Sequence, residues 1–329
     1  MPRRNVTIAE GLRPLLTSMQ TVGLYFSRPP EDAGDDRKEN SRKWTAYKTY
    51  AVAVVVLLWI NAVRMFSVFT GEDEFGLLLF DKLIAVAWFV QCAVSQTAFF
   101  AAGHGGRLAV VLDQVLDDAS ARRARRYSVV CAVVAWSVIV ASLVFFAYGA
   151  LSADGNDLYL APLQNHIVVS NPLIPRIAAC FVIFYVLTAY TFSQTATFVL
   201  AMVFSHQFRT VDETLRRLLE TLGRLLENGR CRVSESDVET LRRQHQRIST
   251  NVRRADDCLM FSTASSFCSQ LFCVIMMLFS IIFYHPLIND LVIIVAYVFT
   301  VSTVSFGLAL TVAGGITVHH YVSVFDYLS

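Results

Sequence analysis

The sequence predicts an all-α fold: a polytopic membrane helical bundle of six spans, with a cytosolic N-terminus and a long cytosolic helical hairpin between spans four and five. Three observations carry that prediction. The 329 residues are 55% hydrophobic and 16% charged, whereas soluble domains carry about 25% charged residues. Several stretches exceed the roughly 18 apolar residues that mark a membrane-crossing helix. The basic residues also gather on alternate connections, as they do when one side of a membrane retains them. The net charge of +2 carries information only through its distribution.

The first 48 residues are mixed and polar. Within them 11–26 fits an amphipathic helix, with Leu12, Leu15, Leu16, Met19, Val22 and Phe26 mostly at three- and four-residue spacing. Such a helix either lies on the inner membrane surface or packs on its own bundle. Residues 29–43 read as a charged linker. No cleavable signal peptide is visible, so the first span acts as the internal signal. Asn5-Val6-Thr7 matches a glycosylation sequon, but a cytosolic N-terminus makes it a chance match.

The expected spans are 50–70, 76–102, 128–151, 175–204, 258–284 and 290–317. This divides the chain into a polar N-terminal segment (1–48), spans one to four (49–204), a hairpin (205–257), spans five and six (258–317) and a short tail (318–329). Of the 28 basic residues, nine lie in 1–48, five in 103–127 and eleven in 205–257. The intervening connections at 71–75, 152–173 and 285–289 contain none. They carry Glu72, Asp73, Glu74, Asp154 and Asp157 instead. The basic side is therefore expected to be the cytosol. The tail fits this less well, having no Lys or Arg.

The hairpin is patterned in heptads. Val211, Leu215, Leu218, Leu222 and Leu225 step by four and three in its first arm. Val238, Leu241, His245, Ile248, Val252 and Ala255 step by three and four in its second. Asn228-Gly229 suits the turn, since both tolerate positive φ. From Ser234 to Tyr284 there is neither Pro nor Gly, so the second arm runs on into the fifth span as one helix of about 75 Å. These seams serve either local pairing of the two arms or packing between subunits.

Catalytic chemistry is not legible. Gly103-His104-Gly105-Gly106 lacks a P-loop Lys, and His319-His320 are adjacent residues whose side chains diverge on a helix. The seven cysteines show no zinc spacing and read as small buried hydrophobes with free thiols. No cofactor or metal is expected. Arg64, Asp81, Lys82, Arg176 and Asp290 all lie toward outer span ends, where snorkelling and helix-end effects accommodate them. An enzyme would need polar catalytic groups converging at one depth, and no such cluster is apparent. A six-span carrier would need paired broken helices or a repeat, and neither is clear.

Aromatic residues are dense in the spans. Trp88, Phe145, Tyr148, Phe184, Tyr185, Tyr284 and Tyr297, with the deeper Gln91, are the candidate ligand-binding residues. Aromatic walls with one or two polar groups suit a small organic ligand. The competing reading of each is lipid contact, interfacial belt or core packing.

The segment GLRPLLTSMQTVGLYF, and above all LRRQHQRISTNVRRADDCLMFSTASSF with Phe261 near the membrane entry, resemble the insect gustatory receptors of the arthropod chemoreceptor superfamily. The inside N-terminus, short third outer loop and long second inner loop agree with that resemblance. It implies a ligand-gated, nonselective cation channel in the plasma membrane. It further implies a homo- or heterotetramer of related subunits that detects small-molecule tastants, with no nucleic-acid partner. Under it, the heptad arms serve assembly. The family's TYxxxxxQF-like motif in a seventh span has no counterpart in this sequence, which ends at HHYVSVFDYLS. The expectation is thus a chain without the pore-lining helix, conducting only with partners if at all. The alternative from the residues alone remains a six-span carrier or another membrane protein.

Overall fold

Residues 6–25, 37–67, 69, 77–151, 173–227, 235–283 and 291–326 are described by a computed structural model. Among them the elements run β1 (Val6–Thr7), α1 (Ile8–Gly11), α2 (Arg13–Thr21), α3 (Arg37–Phe66), α4 (Leu77–His104), α5 (Arg107–Leu112), β2 (Val115–Leu116), α6 (Asp118–Leu151), α7 (Leu173–Glu227), α8 (Glu235–Phe283) and α9 (Leu291–Asp326). Helices α3, α4, α6, α7 and α8 are long and apolar enough to cross a membrane, and α9 adds a shorter apolar segment, Val298–Ala313. The protein is a multi-pass membrane helical bundle.

The outer surface explains why this bundle needs lipid. On α6, Val129, Val130, Val133, Val134, Val140 and Val144 are exposed, and on α3 so are Val56, Trp59, Ile60, Val63 and Phe66. Soluble monomers rarely expose contiguous apolar surface on this scale. Inside, α4 packs along α8, α6 along α7, and α9 against both α7 and α8. Close approach of α4 and α8 is helped by Ser269, whose hydroxyl donates to the Ala87 carbonyl at 3.1 Å.

Several boundaries differ from the sequence expectation. The division at 204/205 is no break. Helix α7 continues through it for 55 residues, a length of about 82 Å. No proline follows Pro175 in that helix, and the polar arm keeps strong helix formers. Helix α8 is continuous for 49 residues, as its sequence predicts. Helix α3 starts at Arg37, inside the stretch expected to be a linker. The connection 103–127 also holds structure of its own: α5, β2 and the first turns of α6.

The N-terminal segment packs on its own bundle rather than lying on the surface. Ile8, Leu12, Leu15, Met19 and Val22 are fully buried. Thr7 and Glu10 form a reciprocal capping box at the start of α1. Val6 and Thr7 pair antiparallel with Leu116 and Val115, and the Ile8 amide donates to the Gln114 carbonyl at 2.8 Å. Ser128 of α6, completely buried, fills the junction between α1 and α2. Its hydroxyl accepts from the Leu15 amide at 3.0 Å and donates to the Leu12 carbonyl at 3.2 Å. Gly23 ends α2 at φ +77°, which only a residue without Cβ adopts cheaply. Its carbonyl accepts from Gln96 Nε2 at 2.7 Å.

Helix α6 is capped by Asp117, whose carboxylate accepts from the Ser120 amide at 3.3 Å. Burial pushes the Asp117 carboxyl upward, but hydrogen bonds from Ser120 and neighbouring amides outweigh it and hold the group below its usual value.

Candidate functional site

One group of buried residues with unspent hydrogen-bonding capacity lies where α4, α7, α8 and α9 meet, midway along their apolar lengths. Tyr190 and Gln194 are four residues apart and so share one face of α7. Both are buried, as are Gln270 of α8 and Gln91 of α4. Gln270 Nε2 donates to the Tyr190 hydroxyl at 3.4 Å. Gly307 of α9 faces the same point. A Cβ there would collide with Gln194 Oε1 and lie 3.1 Å from both Gln270 Nε2 and the Tyr190 hydroxyl. Glycine is what lets α9 close over the cluster.

This cluster is not internally satisfied. Gln194 Nε2 and Gln270 Oε1 are buried without a hydrogen-bond partner, and so, about one helical turn from Trp88, is Gln91 Nε2. A buried amide without its bond costs about 1–3 kcal/mol on mutational scales, and lipid offers no substitute. Beside Gln194 lies a cavity of about 10 Å³ lined with hydroxyls, among them Ser193, Ser262, Ser266 and Thr311. That is about one water's space. Ser193, Thr197 and Thr311 donate back to carbonyls of their own helices, leaving their oxygens free to accept. Amides and hydroxyls can bind a polar ligand group or a partly hydrated ion. They supply no acid, base or nucleophile of matched strength.

Trp88 reaches this region, its ring edge-on to Tyr190 at 6.2 Å, and the buried Gln91 follows about one turn along the same helix. Phe184 and Tyr185 belong to a second aromatic group. There Phe181 and Phe184 flank Tyr185 at 5.0 and 5.3 Å, and Trp136 stacks on Phe184 at 6.5 Å. The Tyr185 hydroxyl is 3.1 Å from that of Tyr50, which donates to the Thr21 carbonyl of α2. Tyr185 thereby ties α7 to the N-terminal segment. Phe145 faces Phe299 of α9 at 6.5 Å. Tyr284 and the side chains of Tyr148 and Tyr297 lie outside the described residues. The described aromatic candidates thus take part in three separate sets of ring contacts.

The sequence reading missed Tyr190, Gln194, Gln270 and Gly307, having sought only catalytic polar groups at one depth and not amides. Their signal was present: buried amides in apolar runs cost energy unless used. Register across four helices decides whether such amides meet, and one sequence does not reveal it.

In the hairpin, the side chains of Leu215, Leu218, Leu222, Leu225, Val238 and Leu241 lie outside the description. Near the membrane the arms do touch: the His245 ring is 5.5 Å from Phe208, and Ile248 and Val252 are half-buried. On the outer face, Glu239 accepts from Arg242 and Arg243 at 2.8 Å each. These bonds hold its carboxyl at about 2, well below the usual 4.5. Cys92, Cys131, Cys180, Cys258, Cys268 and Cys273 are free thiols. Among the described residues no three His, Cys, Asp or Glu converge on a metal position.

Residues 106–320, more than half of the chain, match the 7tm chemosensory receptor family. The chain belongs to that family. The membership sets aside the carrier alternative and gives the bundle a receptor's role. No curated protein matches the sequence. Among solved structures, the receptor resembles the insect olfactory receptor OR5 from Machilis hrabei, with a TM-score of 0.68 and 11% identity. The similarity covers 94% of this chain and 80% of that one. At that identity the likeness establishes the fold.

Proposed function

We propose that this receptor is a subunit of a ligand-gated, nonselective cation channel in the plasma membrane, with its N-terminus in the cytosol. Its ligands are small neutral organic molecules of the tastant kind. They place a polar group against Gln194 and Gln270 and an apolar body against Trp88 and Tyr190. The observation that carries this reading is the set of unpartnered amide atoms on Gln91, Gln194 and Gln270. A ligand able to pair with them gains bonds that the cluster does not make within itself. If those bonds differ between closed and open arrangements of α7, α8 and α9, binding shifts the gating equilibrium. The heptad arms of α7 and α8 hold the subunits together as a homo- or heterotetramer.

The test is electrophysiology on cells expressing the receptor alone and together with a related family subunit, challenged with a panel of sugars, alkaloids and volatile alcohols. The reading predicts a ligand-evoked cation current in at least one configuration, absent from cells expressing the partner alone. If the receptor reaches the surface in both configurations and adds no ligand-evoked current in either, the reading fails.

A further inference from the structure

At the basic end of the bundle, a cleft of about 660 Å³ opens between the α5–β2 connection and the polar stretch of α8. Small-molecule sites typically occupy about 300–1,000 Å³. Arg243, Arg247 and Arg254 line one side. Their spacing of four and seven residues puts them on one helical face, over about 16 Å. Arg243 shares its guanidinium with Glu239. Arg247 and Arg254 are exposed, and neither makes an ion pair with any described residue. Asp113 is the acidic residue in the lining, so the wall stays net positive.

The floor is polar and buried. Asn251 is 7% exposed and Gln114 9%. Neither Oε1 nor Nε2 of Gln114 has a hydrogen-bond partner. Gln114 is held from behind, because its carbonyl accepts from the Ile8 amide and β2 begins at the next residue. The cleft therefore pairs cationic forks with a fixed, unspent amide. Guanidinium groups bind phosphate by two parallel bonds, and a carboxamide can donate to a third oxygen. No single phosphate reaches both Arg243 and Arg254.

From this geometry we infer a second ligand site, separate from the amide cluster in the membrane, for a molecule bearing several phosphate groups. Occupancy bridges α8 to the α5–β2 connection and, through Gln114 and β1, to the N-terminal segment. The phosphates come either from a soluble polyphosphate or from a phosphoinositide headgroup. Arg254 lies four residues before Cys258, where the apolar run begins, about 6 Å along the helix. A lipid headgroup reaches that end of the cleft.

Binding to the purified full-length receptor in nanodiscs tests the inference. One arm titrates inositol hexakisphosphate into receptor in phosphatidylcholine discs. The other compares discs with and without 5% phosphatidylinositol bisphosphate, using discs with matched phosphatidylserine charge as the control. Saturable binding in the first arm alone assigns a soluble ligand, and phosphoinositide dependence beyond the charge control assigns the lipid. Either result supports the site if R247A/R254A weakens binding at least tenfold, Gln114→Leu weakens it severalfold, and the exposed Arg253→Ala, outside the lining, leaves it within twofold. R247K/R254K keeps the charge and should recover only part of the affinity. No saturable binding in either arm, or equal losses in Arg253→Ala and R247A/R254A, overturns it. So does an arginine pair whose removal changes the oligomeric state while leaving polyphosphate affinity unchanged, since the cleft would then face a second copy.

Discussion

Gly307 illustrates how one residue sets the chemistry around it. A methyl group there meets the tip of the Gln194 amide, with Gln270 and the Tyr190 hydroxyl close on either side. Overpacking of this kind costs about 1–3 kcal/mol. Gly307→Ala should lower the Tm of the solubilised receptor accordingly. Gln194→Ala in that background should restore much of the loss, because the two changes share one contact. Strictly additive losses would exclude the contact. Glu239 gives a pH-dependent counterpart. Its carboxyl is lowered from 4.5 to about 2 by Arg242 and Arg243, so its contribution is complete above pH 4.5 and fades as pH falls toward 2. The Tm difference between wild type and Glu239→Gln should be constant above pH 4.5 and vanish near pH 2. A difference that persists at pH 2 would mean the carboxylate is not the source.

At the scale of elements, the pattern of apolar runs was enough to locate the helices, because each must satisfy its own backbone in lipid. The absence of Pro and Gly made α8 legible as one helix. Its counterpart α7 was not read through position 204, since a change from apolar to polar composition marks a membrane boundary without ending a helix. The N-terminal segment shows the same limit: its amphipathic face was visible, but not the partner that buries it. Ser128 is that partner's key, holding both Leu12 and Leu15. Removing its buried hydroxyl leaves the Leu15 amide unpaired, at about 1–3 kcal/mol, while the Leu12 carbonyl keeps its bond from the Leu16 amide. Ser128→Ala should lower Tm and hasten proteolysis within residues 1–25 relative to the rest of the chain. Unchanged proteolysis there would indicate that the apolar face alone docks the segment.

For the whole molecule, charge distribution sets the proposed orientation. With 25 of 28 basic residues on one side, epitope tags at residue 1 and within 103–106 should stain only after permeabilisation. A tag within 152–172 should stain on intact cells. The reverse pattern would place the proposed polyphosphate cleft outside the cell. Aromatic density suggested a pocket but spread its candidates over three groups, because composition records depth along a helix and not direction around it. The amide cluster needed four helices in register before it could be seen. Its role as the ligand's polar contact is the central claim, and concentration–response curves for an activating ligand test it most directly. Gln194→Leu and Gln270→Leu remove the amides at nearly constant volume. The account predicts that each raises the half-activating concentration at least tenfold with surface expression unchanged. Curves that superimpose on wild type for both variants would contradict it.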